Sequence, residues 1–228
     1  MQQLLLELAP APPPTLENFS PGKNGSALKA LREALESGER FVFLWGPGGS
    51  GKTHLLRAFA AAAGTKRTAA YLPAQIADWT GAEALEVAAV DDVARLDGAG
   101  QIALFDLCNR LRGSGGALAL SGEVPPARLA LRPDLRSRLA SGIVLQLHPL
   151  SDEEKAAALR ERAAGRGIVL DAELIRYLLT HFDRDMGAQI AVLDAMDRYS
   201  LQTKRAITLP LLKEALRLAG EREARREL

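Results

Sequence analysis

The stretch GPGGSGKT occupies residues 46–53, between the apolar run FVFLW at residues 41–45 and a helical pattern that starts at His54. Glycines allow backbone conformations closed to other residues, so successive N–H groups of such a stretch can turn toward an anion. The amino-terminal end of the following helix adds the positive end of its dipole. A strand, a glycine-rich turn and a helix in this order predict a phosphate-binding loop, with a chance glycine-rich turn as the alternative.

The side chains of this stretch fit a nucleotide. The predicted loop comprises Gly46, Pro47, Gly48, Gly49, Ser50, Gly51, Lys52 and Thr53. Lys52 is expected to reach the β- and γ-phosphates, and Thr53 is expected to offer its hydroxyl to Mg²⁺. The three histidines, His54, His148 and His181, lie far apart and have no cysteine at ligand spacing, so we expect no metal site beyond the magnesium that a nucleotide carries.

Two consecutive acids follow another apolar run. Residues 87–90 read VAAV and lead into Asp91 and Asp92. A carboxylate at the end of a buried strand can hold a metal ion against a bound nucleotide. We therefore expect Asp91 to be the acid on the magnesium side and Asp92 to orient a water molecule. Without the loop upstream, two such acids are more typical of a strand end or a helix cap.

The first two thirds of the chain predict an α/β fold. Apolar runs of strand length lie at residues 41–45, 69–72, 86–90, 117–121 and 143–147, and helical patterns lie at residues 26–37, 54–63 and 100–111. Strands that alternate with helices imply a parallel sheet, here of five strands, with helices on both faces.

The pattern changes after Pro149, where strand-like runs stop. Helical patterns follow at residues 151–164, 171–181, 185–201 and 209–218, which predicts a small all-helical second domain. Ser151 and Glu154 have the spacing of a capping box, so the boundary is expected near residue 150. The predicted organisation is a leucine- and proline-rich segment at residues 1–13, an α/β domain at residues 14–149 and a helical domain at residues 150–228.

Composition argues against several classes of function. Lys and Arg number 29 and Asp and Glu 28, so a net charge of +1 gives no overall field for nucleic acid or an acidic membrane. The single cysteine, Cys108, lies in an apolar helical pattern and is expected to be a core thiol in a reducing compartment. Residues 1–9 have no basic segment and only a short apolar run, so we expect a cytoplasmic protein without a signal peptide or membrane span.

Several of these segments resemble the DnaA-like AAA+ family, and most of all its shorter Hda branch, the regulatory inactivators of DnaA. The resemblance rests on GPGGSGKTHLLRA at residues 46–58, PTLENFSPGKN at 14–24, AVDDV at 89–93, LSGEVPPARL at 120–129, RPDLRSRLASG at 132–142 and FDRDM at 182–186. It covers nearly the whole chain. It implies an AAA+ nucleotide-binding domain followed by a helical lid, with ADP or ATP as the nucleotide.

The resemblance also implies roles for single residues. Ser121 would be the polar sensor residue near the γ-phosphate, and Arg184 would be the lid arginine that senses bound nucleotide. Arg138 would be an arginine finger directed in trans at the nucleotide of a neighbouring molecule, where such a group neutralises charge on the γ-phosphate. Taken alone, these arginines are more typical of exposed residues in weak solvated pairs. The adenine pocket is expected near Phe19 and Gly22.

The amino terminus resembles a motif of a different kind. QLLLEL at residues 3–8 is similar to the hexapeptide with which bacterial proteins dock on the replication sliding clamp, the β subunit of DNA polymerase III. In such motifs a few anchors carry most of the binding energy. The expected anchors are Gln3, Leu4, Leu6 and Leu8, while Glu7 replaces a proline that is frequent in the motif. An apolar tail or an extra edge strand is the alternative.

Together these resemblances predict an adaptor that binds nucleotide, docks on the sliding clamp and presents Arg138 to ATP-bound DnaA, whose hydrolysis then inactivates the initiator. Its own ATPase activity is expected to be weak or absent, because Asp92 stands where many AAA+ ATPases have glutamate.

Sequence-specific DNA binding is not expected, since the chain ends near the close of the lid. Whether the protein forms a homo-oligomer is left open. The alternatives are an autonomous AAA+ ATPase, such as a helicase loader of the DnaC kind, and a P-loop kinase, which the lid-like helices disfavour.

Overall fold

The computed structural model describes residues 12–36, 38–75, 79, 81–182 and 186–224, with side chains described up to residue 218. From Pro13 onward they divide into two compact units, Pro13–Pro149 and the residues from Leu150 onward. No helix within the described ranges is long and apolar enough to cross a membrane.

The first unit is built on one parallel sheet. Its strands are β1 (Phe41–Trp45), β2 (Ala69–Pro73), β3 (Val87–Asp91), β4 (Ala117–Gly122) and β5 (Ile143–Gln146). They lie in the order β2-β3-β4-β1-β5, and every pair of neighbours is parallel. Because β3 and β4 are buried along their whole length, their sequences are near-continuous apolar runs instead of alternating patterns. The predicted five-stranded parallel sheet is confirmed.

Helices cover both faces of this sheet, as the alternation of patterns predicts. They are α1 (Gly25–Glu36), α2 (Lys52–Ala63), α3 (Gly98–Ser114) and α4 (Pro133–Leu139), and short 3-10 turns lie at Gly22–Asn24, Ala82–Ala84, Val93–Arg95 and Pro126–Arg128. Successive residues of a strand point to opposite faces. In β1, Val42 and Leu44 therefore pack in the core beneath α1 and α2, whereas Phe41 and Phe43 pack in the core beneath α3 and α4.

The helix α3 is longer than its apolar pattern, which covers only residues 100–111. The Asp97 side chain accepts a hydrogen bond from Gly100 N at 2.7 Å and so caps the amino-terminal end of the helix. At the other end, Gly115 adopts a left-handed conformation with φ 71° and stops the helix after Ser114. The ends of α3 are thus set by a polar cap and a glycine, which apolar periodicity does not detect.

The second unit consists of helices in its described part. These are α5 (Asp152–Ala164), α6 (Ala172–His181), α7 (Met186–Thr203) and α8 (Leu209–Ala224). The predicted capping box begins α5, because Ser151 Oγ accepts a hydrogen bond from Glu154 N at 3.2 Å and the Glu154 carboxylate accepts one from Ser151 N at 2.8 Å. All these helices bury residues in one apolar core. The predicted all-helical domain is confirmed.

The carboxyl ends of three neighbouring strands position the candidate site. Trp45 at the end of β1 pairs with Gly122 at the end of β4, and Val90 of β3 pairs with Leu120 of β4. Gly46, which follows β1, donates its N–H to Gly122 O at 3.2 Å. Open parallel sheets bind ligands in the crevice outside these ends, so residues 46–53 begin where a ligand site is expected.

Candidate functional site

The backbone of the loop at residues 46–53 adopts conformations that two of its glycines permit. Gly51 lies in the left-handed region with φ 91°, directly before α2, and Gly49 lies there with φ 73°. Residues other than glycine rarely adopt this backbone conformation. Gly46 has a different constraint, because a Cβ at this position would overlap the carbonyl oxygen of Leu147. Within the loop, Gly48 and Gly49 are exposed, so the backbone of this turn is open to a ligand.

A segment that precedes the sheet packs against this loop. A Cβ on Gly51 would lie 2.7 Å from Phe19 Cε2, so the phenyl ring fills the space that the glycine leaves. The ring centroid of Phe19 is 5.5 Å from that of His54, and His54 Nε2 lies 3.1 Å from Thr15 O. Phe19, one of the two residues expected near an adenine pocket, thus lies beside the loop, while Gly22 begins the first 3-10 turn.

The ammonium group of Lys52 lies across the loop itself. Its Nζ donates hydrogen bonds to Gly46 O at 2.8 Å and to Pro47 O at 2.9 Å. Burial lowers the pKa of Lys52, and the nearby carboxylates of Asp91, Glu123 and Asp92 act in the opposite direction. A phosphate oxygen in the loop could replace the two carbonyl acceptors. Glu123, which directly follows β4, was not among the predicted site residues.

Asp91 is the centre of a hydrogen-bond cluster at the end of β3. Its Oδ2 accepts hydrogen bonds from Thr53 Oγ1 at 2.7 Å and from the Tyr71 hydroxyl at 2.7 Å, and its Oδ1 accepts one from Ser121 Oγ at 2.5 Å. The residue is only 8% exposed. The structure thus brings together three predicted site residues, Thr53, Asp91 and Ser121, and adds Tyr71, which the sequence patterns did not identify.

Ser121 connects the two consecutive acids. Besides donating to Asp91, its Oγ accepts a hydrogen bond from Asp92 N at 2.8 Å, and the residue is fully buried at the end of β4. This position is where the resemblance expects a sensor residue. That sensor role stays a prediction, because the observed partners of the hydroxyl are the two aspartates.

Asp92 adopts a backbone conformation that is uncommon for a residue with a side chain. It lies in the left-handed region with φ 57° and ψ 57°, which aspartate tolerates better than most residues. Its Oδ2 lies 2.6 Å from Arg95 Nε in the next turn. The carboxylate that was expected to orient a water molecule is therefore engaged by an arginine that the sequence patterns did not identify.

The donor set of the site fits Mg²⁺. This ion prefers oxygen ligands and is usually bound by one or two carboxylates together with substrate phosphates. The Asp91 carboxylate and the Thr53 hydroxyl provide two such oxygens side by side. In the described ranges, Ser50 Oγ is buried in the loop without a hydrogen-bond partner, which is consistent with a ligand there. No group of three or more His, Cys, Asp or Glu residues that could hold a metal occurs among the described residues.

Arg138 lies on the exposed side of α4, and its guanidinium carbon is 5.8 Å from the ring centroid of Phe105 on α3. The side chain forms no hydrogen bond or ion pair with any residue that the structure describes.

Cys108 on α3 is buried, and burial raises the pKa of its thiol to about 12. This thiol is therefore a core group rather than a nucleophile, as its apolar pattern indicates.

Some predicted site residues lie outside the described part of the chain. These are Arg184, expected to be the lid sensor, and the expected clamp anchors Gln3, Leu4, Leu6 and Leu8.

Comparison with known proteins relates both units to replication proteins. Residues 152–216 match a family model described as the lid domain of Hda. A solved DNA replication initiation factor is 27% identical over 84% of this chain and 67% of that chain, with a TM-score of 0.66. DnaA from Aquifex aeolicus bound to AMPPCP is 25% identical over 85% of this chain and 70% of that one, with a TM-score of 0.67. Domain III of the Thermotoga maritima initiator DnaA shares the fold, at 23% identity over 90% and 96% of the two chains and a TM-score of 0.69.

Proposed function

Because the chain belongs to the DnaA-like AAA+ proteins and carries an Hda lid domain, we propose that it is a nucleotide-dependent regulator of DNA replication initiation. In this proposal ADP or ATP binds with Mg²⁺ at residues 46–53. The observation that carries it is the contact between the Thr53 hydroxyl and the Asp91 carboxylate at 2.7 Å, beside a glycine loop that holds the Lys52 ammonium. DnaA from Aquifex aeolicus binds AMPPCP in a related fold, which supports the choice of an adenine nucleotide.

Each group of the loop has a defined task in this proposal. Backbone N–H groups of residues 48–53 bind the phosphate oxygens, and the amino-terminal end of α2 adds its positive dipole. Lys52 exchanges its carbonyl acceptors for phosphate oxygens. Thr53 and Asp91 would hold Mg²⁺, which neutralises phosphate charge when it is bound. Phe19 covers one side of the loop and would lie near the adenine.

The proposed action on a partner depends on Arg138. Its guanidinium is exposed and has no acceptor among the described residues, so it is available for a phosphate group on another molecule. An arginine supplied in trans stabilises the charge that spreads over the γ-phosphate during hydrolysis, an effect of about 10³ to 10⁵ in rate. We propose that Arg138 acts in this way on ATP bound to DnaA, which would inactivate the initiator.

Docking on the sliding clamp is the second part of the proposed action. It rests on the QLLLEL segment at residues 3–8, whose anchors would be Gln3, Leu4, Leu6 and Leu8. Retention of the protein on immobilised clamp tests it. Gln3→Ala and Leu6→Ala are expected to lose retention, and retention equal to that of the wild type would remove docking from the proposal.

An autonomous ATPase, such as a helicase loader of the DnaC kind, is the competing function. It would need Asp92 for its own turnover. The ion pair between Asp92 and Arg95 at 2.6 Å engages that carboxylate, which supports the adaptor over the autonomous enzyme.

Hydrolysis of DnaA-bound ATP in the presence of DNA-loaded clamp tests the proposed function. The wild-type protein is expected to accelerate hydrolysis, and Arg138→Ala is expected to lose most of the acceleration. Arg128→Ala is the matched control, because Arg128 is also exposed and lies in the 3-10 turn that precedes α4. If Arg138→Ala accelerates hydrolysis as well as Arg128→Ala does, Arg138 is not the finger. No acceleration by the wild type would reject the adaptor function.

A further inference from the structure

The Asp91 carboxylate is held by three hydroxyl groups, and one of them belongs neither to the phosphate loop nor to the expected sensor position. Thr53 belongs to the phosphate loop, and Ser121 lies at the expected sensor position. Tyr71 lies in the middle of β2, and its hydroxyl donates a hydrogen bond to Asp91 Oδ2 at 2.7 Å. The same oxygen accepts the Thr53 hydroxyl at 2.7 Å.

We infer that Tyr71 is a positioning residue of the magnesium site, whose hydroxyl fixes the direction of the Asp91 carboxylate so that Asp91 and Thr53 meet the metal ion of a bound nucleotide together. This inference rests on the proposed binding of a nucleotide with Mg²⁺. Tyr71 would orient the Asp91 carboxylate and would not itself contact the metal or the phosphates.

The sheet gives Tyr71 a fixed direction toward Asp91. Tyr71 pairs with Ala89 in the parallel ladder between β2 and β3. Paired residues point to the same face, and so do residues two positions apart in one strand. Ala89 and Asp91 therefore share a face with Tyr71, and the phenol reaches the carboxylate across one strand spacing. A donor on a paired strand moves less than a donor on a loop.

One further contact keeps the phenol in place. The guanidinium carbon of Arg57 on α2 lies 4.9 Å from the centroid of the Tyr71 ring, within the range of a cation–π contact. With the ring held in this way, its hydroxyl is directed at Asp91 Oδ2, to which it donates at 2.7 Å.

Hydrogen bonding at Asp91 is compatible with a metal ion. In both hydrogen bonds to Oδ2 the hydroxyl oxygen is the donor, so the lone pairs of Thr53 Oγ1 stay available to a cation. Without the phenol, Oδ2 would keep only Thr53 as its donor and Oδ1 would keep Ser121, so the carboxylate would be held less rigidly. Loss of a group that orients a metal ligand typically costs about 10- to 100-fold in metal affinity.

The test is an equilibrium titration of the full chain with ADP, carried out once with saturating Mg²⁺ and once with EDTA. The ratio of the two dissociation constants isolates the contribution of the metal. Tyr71→Phe removes one hydroxyl and keeps the ring with its apolar contacts, so the chain is expected to fold, and a circular dichroism melt without nucleotide verifies this. Tyr199→Phe is the matched control, because the Tyr199 hydroxyl also donates to a carboxylate, Glu214 Oε1 at 3.4 Å, within the helical unit.

We expect Tyr71→Phe to bind ADP about 10- to 100-fold more weakly with Mg²⁺ and unchanged in EDTA, while Tyr199→Phe matches the wild type in both conditions. If Tyr71→Phe matches the wild type with Mg²⁺, or weakens ADP binding equally in both conditions, Tyr71 does not position the metal site. Failure of the proposed function looks different, because the wild-type protein itself would then bind no ADP in either condition.

Discussion

Alanine at Gly46 is expected to deform the phosphate loop, whereas alanine at Gly48 is not. A Cβ on Gly46 would overlap the Leu147 carbonyl oxygen and lie 3.3 Å from Ser50 Oγ. The backbone at Leu147 is itself anchored, since Leu147 N donates to Trp45 O at 2.6 Å. A Cβ on Gly48 would meet no atom within 4 Å. The two substitutions add the same methyl group to one loop, but Gly46 alone of the two faces a carbonyl oxygen and has a positive φ, 158°.

The overlap at Gly46 is worth a measurable free energy. Forcing an extra methyl group into a packed environment typically costs about 1–3 kcal/mol, which is about 5- to 150-fold in an equilibrium constant. If the phosphate loop shifts to relieve the overlap, Gly46→Ala should bind ADP with Mg²⁺ more weakly. If the backbone after β5 shifts instead, Gly46→Ala should have a lower free energy of unfolding. The two losses together should fall in this range.

Urea denaturation and calorimetric titration with ADP measure both losses on the same variants. Gly48→Ala is expected to unfold at the same or a slightly higher urea concentration than the wild type, because its methyl group meets no protein atom and alanine reduces the entropy of the unfolded chain. Equal results for Gly46→Ala and Gly48→Ala in both measurements would contradict the expected overlap at Gly46.

Two further predictions concern buried polar and sulfur groups. Ser121→Ala should lower the free energy of unfolding by about 1–3 kcal/mol, because it leaves Asp92 N–H and Asp91 Oδ1 without their partner. Ser137→Ala, at an exposed hydroxyl, should change the free energy of unfolding by less than about 0.5 kcal/mol. Equal losses for the two variants in urea denaturation would contradict this prediction. Cys108 should resist a thiol reagent at neutral pH in the folded protein and react in urea. Its pKa is raised from 9.0 to about 12, so the unfolded chain releases the thiol proton first and the free energy of unfolding should fall as pH rises between these values. Cys108→Ala should reduce that slope, and an unchanged slope would contradict the assignment.

Motif spacing predicts much of the candidate site. The loop at residues 46–53 and the acid at Asp91 follow from glycine content, apolar runs and helical periodicity, and the sheet and helices they implied are present. These features depend on residues that are neighbours in the chain. Local sequence is therefore sufficient to identify them.

Contacts between strands were not predictable in the same way. Tyr71 reaches Asp91 only because β2 lies next to β3, and alternating strand and helix patterns do not fix the order of strands in a sheet. The packing of Phe19 against Gly51 likewise joins distant segments.

A second kind of contact was missed although it is local. Arg95 follows Asp92 by three residues, within a single 3-10 turn. The left-handed conformation of Asp92 directs its carboxylate to Arg95, and a residue other than glycine gives little indication of that conformation in sequence. The role of Asp92 in orienting water stays a prediction, and the structure adds its ion pair with Arg95.

The proposed function requires residues 46–53 to bind the phosphates of an adenine nucleotide. An equilibrium titration of the folded protein with ADP or ATP in Mg²⁺ tests this claim, with Lys52→Ala beside the exposed control Lys66→Ala. We predict saturable one-to-one binding by the wild type and by Lys66→Ala, and binding weaker by about 10-fold or more for Lys52→Ala, because a charge-assisted hydrogen bond contributes about 1.5–3 kcal/mol. No binding by the wild type, or equal binding by Lys52→Ala, would contradict the claim.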